Sequence, residues 1–193
     1  MSRNKQFDTD AVLLRAMELF WYQGYEKTSV QDLVDHMGIH RKSIYDTFGD
    51  KRTLYLAVVD RYLQMIQSKM KRLIDDLSVK KIIKNLFCMV MDEDNFRQQG
   101  CLMVNSMVEL SLHDEEVRSK SQDYLEKTER IFCELIQEGQ RTGEISAQWD
   151  PVMLSQFLMN TMTGLRVLVK TSQDRERFEN IVDMNLKILE HPM

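Results

Sequence analysis

Thr28–Lys51 reads TSVQDLVDHMGIHRKSIYDTFGDK, and the fold is decided here. Gly38 separates two short apolar stripes: Val30, Leu33, Val34 and Met37 before it, Ile44 and Phe48 after it. Spacings of three and four residues put each set on one face of a helix. Thr28 and Gln31 stand at the spacing of a capping box that opens the first helix. Gly38 ends that helix after two turns, and a second short one follows over about His40–Phe48. Gly49 stops it, and Asp50 caps a longer helix from Lys51 to roughly Leu77, with Tyr55, Val58, Val59, Tyr62 and Ile66 in line.

Two helices this short bury too little surface to stand alone. A third, predicted over about Thr9–Tyr22, lies behind them with Leu13, Ala16, Met17 and Phe20 on one face, widened by Val12 and Leu19. Gly24 then supplies a left-handed stop. Three helices with a tight turn between the last two make a helix-turn-helix, whose final helix enters the DNA major groove. Such a helix must be anchored by apolar residues and polar outside. Ile44 and Phe48 anchor it; His40, Arg41, Lys42, Ser43 and Tyr45 point outward. The competing reading is a small helical hairpin with a solvated basic face.

Beyond this head the pattern stays helical. Two prolines and seven glycines interrupt 193 residues, 43% of them hydrophobic, and no sustained period-two run appears. Helices are predicted over Val79–Met91, Leu102–Leu112 and Asp114–Arg141, with a loop over Asp92–Gly100. Asp150-Pro151 opens another, to about Lys170, carrying Leu154, Phe157, Leu158, Thr161, Met162 and Leu165. The last, about Asp174–Leu189, carries Phe178, Ile181, Val182, Asn185 and Leu189. The fold class is therefore all-α. A head domain spans residues 1–50, a larger helical domain 51–193, and the helix at about 51–77 joins them.

The net charge of −4 is unevenly spread. Residues 1–73 hold 12 basic and 9 acidic residues, a net +3; the remainder holds 14 and 21, a net −7. The N-terminal part can face phosphates while the rest faces something else. Met1–Asp10 is polar and gives no secretory leader. The most apolar stretch, Val152–Val169, contains Gln156, Asn160 and Arg166, so no membrane span is expected. Cys88, Cys101 and Cys133 lack metal-site spacing and fit free thiols in a reducing cytoplasm. No phosphate-binding glycine loop, HExxH or nucleophile elbow is present, and His36, His40, His113 and His191 are scattered. Neither catalysis nor a cofactor or metal is expected.

The stretch closely resembles the DNA-binding head of the TetR family of bacterial transcriptional regulators. Thr28, Leu33-Val34, Gly38-Ile39, His40, Tyr45, Phe48 and Lys51 stand at the family's motif positions, and the resemblance spans about residues 9–60. It implies double-stranded operator DNA as partner. Thr28, Ser29, Tyr45 and Lys51 would contact phosphates; Arg41, Lys42 and Ser43 would approach bases. Thr28 also has a capping or core reading. Lys42 stands where the family often has a small residue, and His40 where Ser or Thr is common, so the operator sequence is not given.

The resemblance further implies a homodimer through the last two helices, although their stripes would equally pack within the body. It implies a small-molecule pocket, for which Phe87, Met89, Met91, Phe96, Met103, Met107, Phe132 and Trp149 are candidate lining; the same stripe reads as plain core. Cys101 sits at a helix start in QGCLMVNSMVEL, where a thiol becomes more reactive. Some regulators of this architecture sense electrophiles or oxidants through such a thiol; the other reading is a small buried hydrophobe. Repression is the family habit, and an architectural DNA-binding protein using the same head without an effector is the alternative.

Overall fold

A computed structural model describes residues 7–73, 78–91 and 99–190. Among them every regular element is a helix. The head comprises α1 (Thr9–Gln23), α2 (Val30–Met37) and α3 (Arg41–Phe48). The long α4 (Lys51–Arg72) leads into α5 (Val79–Cys88), α6 (Leu102–Leu110), α7 (Glu115–Thr142), α8 (Pro151–Leu168) and α9 (Arg175–Glu190). Nearly all of the loop expected over Asp92–Gly100, with Phe96 in it, lies outside the described residues.

Side-chain caps set most of these boundaries. Asp8, Ser29, Asp50, Ser78, Asp114 and Asp150 each accept an amide of the first turn they precede. One cap differs from expectation. The box opening α2 is Ser29 with Asp32, not Thr28 with Gln31: Asp32 N donates to Ser29 Oγ at 3.1 Å and Ser29 N to Asp32 Oδ2 at 2.8 Å. Thr28 is wholly buried, and its hydroxyl donates to the Gly24 carbonyl at 2.6 Å. The backbone therefore turns one residue later than the motif suggests.

The head closes around Ala16, Met17, Phe20, Leu33, Met37 and Ile44, all buried. Each large side chain of this set contributes about 1.5–3 kcal/mol relative to exposure. Gly38 has φ 69° and ψ 29°, a left-handed conformation that a side chain there would strain, and it lets α3 follow α2 without a longer loop. Arg15 on α1 donates to the Met37 carbonyl at 3.1 Å, tying α1 to the turn.

In the body α7 packs most extensively against α8, while α6 contacts both α4 and α7. Phe87, Met103, Phe132 and Phe178 are fully buried there. No helix among the described residues is long and apolar enough to cross a membrane.

Candidate nucleic-acid interface

α3 is fixed from behind and open in front. Ile44 is 1% exposed, and Phe48 is half-buried against the same core. His40, Arg41, Lys42 and Tyr45 are exposed, and Ser43 is half-buried. His40 precedes the helix in extended backbone with no side-chain cap, so its ring is not engaged in closing the first turn. No acidic residue stands in that turn. The exposed face accordingly offers a guanidinium, an ammonium, an imidazole and a phenol to one surface, which matches the donors that read base edges and hold phosphates.

The flanking residues are arranged differently from their motif reading. Ser29 is exposed, but its hydroxyl accepts the Asp32 amide. Lys51 is half-buried, with Nζ 4.2 Å from the centre of the Tyr25 ring. Tyr25 in turn packs on Phe20 and Tyr55, with ring centroids 6.1 and 4.8 Å apart. Thus Ser29, His40, Arg41, Lys42, Ser43, Tyr45 and Lys51 stay on the head's surface, and Thr28 does not.

Behind this surface α6 reaches the head directly, which no sequence motif had marked. Glu109 accepts the amides of Tyr25 at 3.0 Å and Glu26 at 2.8 Å. A Cβ at Gly24 would lie 3.0 Å from both Glu109 carboxylate oxygens, so the turn and the carboxylate are closely fitted. Tyr55 on α4 pairs with Ser106 on α6 at 2.7 Å, and burial pushes its phenol up to about 12. At the other side of the turn, Arg52 donates to both carboxylate oxygens of Asp114, at 2.6 and 2.9 Å. That guanidinium holds the Asp114 carboxyl down to about 2.

Cys101, the N-cap of α6, is 3% exposed. Tyr62 donates to its sulfur at 3.2 Å. Burial raises the Tyr62 phenol well above its ordinary value, and Tyr124, raised likewise by burial, also faces the thiol. Arg166 donates to the Tyr124 hydroxyl and lies over its ring. Cys101, Met103 and Phe132 are buried, and Met107 is half-buried. Trp149 belongs to another junction: its Nε1 donates to the Ile188 carbonyl at 3.2 Å, and Gln140 Nε2 donates to the Trp149 carbonyl at 2.9 Å, tying the α7–α8 connection to α9.

Comparison with known proteins agrees with this geometry. Residues 12–58 match the model of bacterial regulatory proteins of the tetR family, and residues 79–184 match a tetracyclin repressor-like C-terminal domain. The chain belongs to the TetR family of transcriptional regulators. It is similar to the HTH-type transcriptional regulator YezE of Bacillus subtilis (strain 168), 36% identical over 98% of this chain and 100% of that protein. The HTH-type transcriptional repressor ComR of Escherichia coli (strain K12) is 28% identical, covering 96% of this chain and 90% of its own. Among solved structures, a cysteine mutant of the TetR family regulator CifR complexed with 26-base-pair double-strand operator DNA superposes with a TM-score of 0.86 and 28% identity, covering 97% of this chain and all of that one.

Proposed function

We propose that this TetR-family regulator represses transcription by binding a palindromic operator as a homodimer, and that a small molecule or a thiol-reactive signal releases it. The observation that carries the DNA-binding reading is α3, with Ile44 buried behind an outward face of His40, Arg41, Lys42 and Tyr45. In this reading Arg41, Lys42 and Ser43 approach bases, while Ser29, His40, Tyr45 and Lys51 hold phosphates. The operator DNA in the CifR complex and the repressor role of ComR support it. The functional division falls near residue 50, with α4 joining head and regulatory body.

A surface seam supports the dimer. Met153, Phe157, Asn160, Gly164 and Val167 on α8 are all exposed and recur at alternating steps of four and three, the spacing of a helix–helix seam. Met153 is 69% exposed, and a Cβ at Gly164 would meet nothing within 4 Å, so a second helix can approach closely there. On α9, Met184 is exposed and Ile181 half-buried, one further apolar patch open to a partner. A symmetric dimer doubles the base contacts and fixes the half-site spacing.

Release follows from α6. Cys101 at its start and Glu109 near its end are eight residues apart, ~12 Å along a helix. Bulk added at Cys101 displaces the Tyr62 hydroxyl, shifts α6 and moves Glu109 against the head. Met103, Met107 and Phe132 would line the effector site beside it; Trp149 would respond from the α7–α9 junction. Genome-wide occupancy tests the reading: one or a few palindromic sites near promoters support a repressor, and hundreds of unrelated sites indicate an architectural protein.

A further inference from the structure

We propose that the second copy of this chain does more than pair along α8: it also seats on the outer face of α6 and on the C-terminal end of α1. This rests on the homodimer reading and extends it from the body to the head. Leu112, Val108 and Tyr22 are 87%, 79% and 76% exposed, the three most exposed large apolar side chains among the described residues. Scattered apolar residues need no explanation, but these are grouped. Val108 on the outer face of α6 and Leu112 in the turn just after it form an exposed apolar ridge, and Tyr22 and Val108 wall the same groove of about 350 Å³ between head and body.

Val167 identifies the occupant. It is the last residue of the α8 seam, and it also lines this groove. A partner helix lying along Met153–Val167 is therefore delivered to the groove's edge without a break in the surface. The charged groups in the groove are already engaged. Glu109 holds the amides of Tyr25 and Glu26, and Lys170 donates to Asn105 at 3.0 Å. What remains for a partner is largely apolar. Ridge and groove also lie side by side on one surface, as a two-fold contact requires, since each copy must present both the knob and the hole. A contact here places the partner against Tyr22 and the turn that Glu109 grips, so the dimer itself would set the separation of the two heads.

Sedimentation equilibrium of the full chain tests this. The V108E/L112E variant puts two carboxylates on the ridge, and F157E puts one in the seam. The dimer dissociation constant is expected to rise about tenfold or more in both. Because all three positions are exposed, far-ultraviolet circular dichroism melts should match wild type; V108S/L112S serves if the charged pair does not fold. Weakening by F157E with an unchanged constant for the ridge variants would confine the dimer to α8 and α9 and overturn the extension. A wild-type chain that stays monomeric would instead remove the homodimer reading on which it rests.

Discussion

Glu109 on α6 holds the backbone amide of Glu26 at 2.8 Å across 83 residues of chain, and takes the amide of Tyr25 with its other oxygen. The contact is a charge-assisted clamp on the connection between α1 and α2. It ties the reading head to a helix that Cys101 caps at its other end. Hydrogen bonds to a charged group typically contribute about 1.5–3 kcal/mol each. E109A is therefore expected to weaken operator binding about tenfold, read by titration of labelled DNA. Its salt dependence should be unchanged, because no phosphate contact is removed. E109A binding with wild-type affinity would separate the clamp from head placement.

Contacts on α3 should divide by kind. R41A is expected to cost about tenfold against the operator and to relax discrimination at one position of each half-site. K51M should weaken binding to all duplexes alike and lower the logarithmic salt slope by about one for each phosphate no longer neutralised. The two profiles are compared in titrations at several salt concentrations. An R41A protein that loses affinity uniformly for every sequence would reassign that side chain to the phosphates.

Acid should loosen the joint between α4 and α7. Arg52 lowers the Asp114 carboxyl to about 2 in the folded chain, against about 4 unfolded. A carboxyl depressed by folding contributes stability that is fully present above the unfolded value and is lost as pH falls through the folded one. The window is thus about pH 4 down to about pH 2. D114N should melt lower than wild type at pH 7, and the difference should shrink across that window. A difference independent of pH would show that the charge of the carboxylate, shared between Arg52 and the amides of Glu116 and Val117, is not what the substitution removes.

Alkylation tests the thiol. The 3% exposure of Cys101 makes its reaction dependent on local opening, so it should label more slowly than half-buried Cys88 and Cys133. Once labelled, wild type should lose at least about tenfold in operator affinity, and C101S treated identically should lose none. Peptide mass spectrometry scores the site. Full labelling of Cys101 with unchanged affinity would leave it as a buried apolar residue.

Much of the head was legible because short-range rules govern it. Gly38 and the stripes on either side fix two helices and their turn through local geometry alone, and Ile44 had to be the anchor once the turn was placed. Thr28 and Ser29 show where such rules lose resolution. Both cap helices well, and only the burial of Thr28 against Gly24 decides that Ser29 opens α2. Lys51 above the Tyr25 ring and Glu109 on the α1–α2 turn are products of packing between distant segments, and no periodicity reports them. In the body, a methionine on α8 looks the same in sequence whether it fills the core, as Met159 does at 2% exposure, or faces outward, as Met153 does at 69%. The apolar stripe of α8 is broad enough to serve both faces. The chemistry of Trp149 alone puts it among candidate pocket lining; its hydrogen bond to the Ile188 carbonyl places it at the α7–α9 junction.

The most direct test of the central claim is fluorescence anisotropy of the purified chain with labelled duplex from immediately upstream of its own coding sequence, beside a shuffled duplex of the same composition, at two salt concentrations. A sequence-specific regulator should bind the first duplex at least about a thousandfold more tightly than the shuffled one, with binding that weakens as salt rises. Equal, weak binding to both duplexes, repeated with fragments recovered by genome-wide selection, would contradict the operator-binding account.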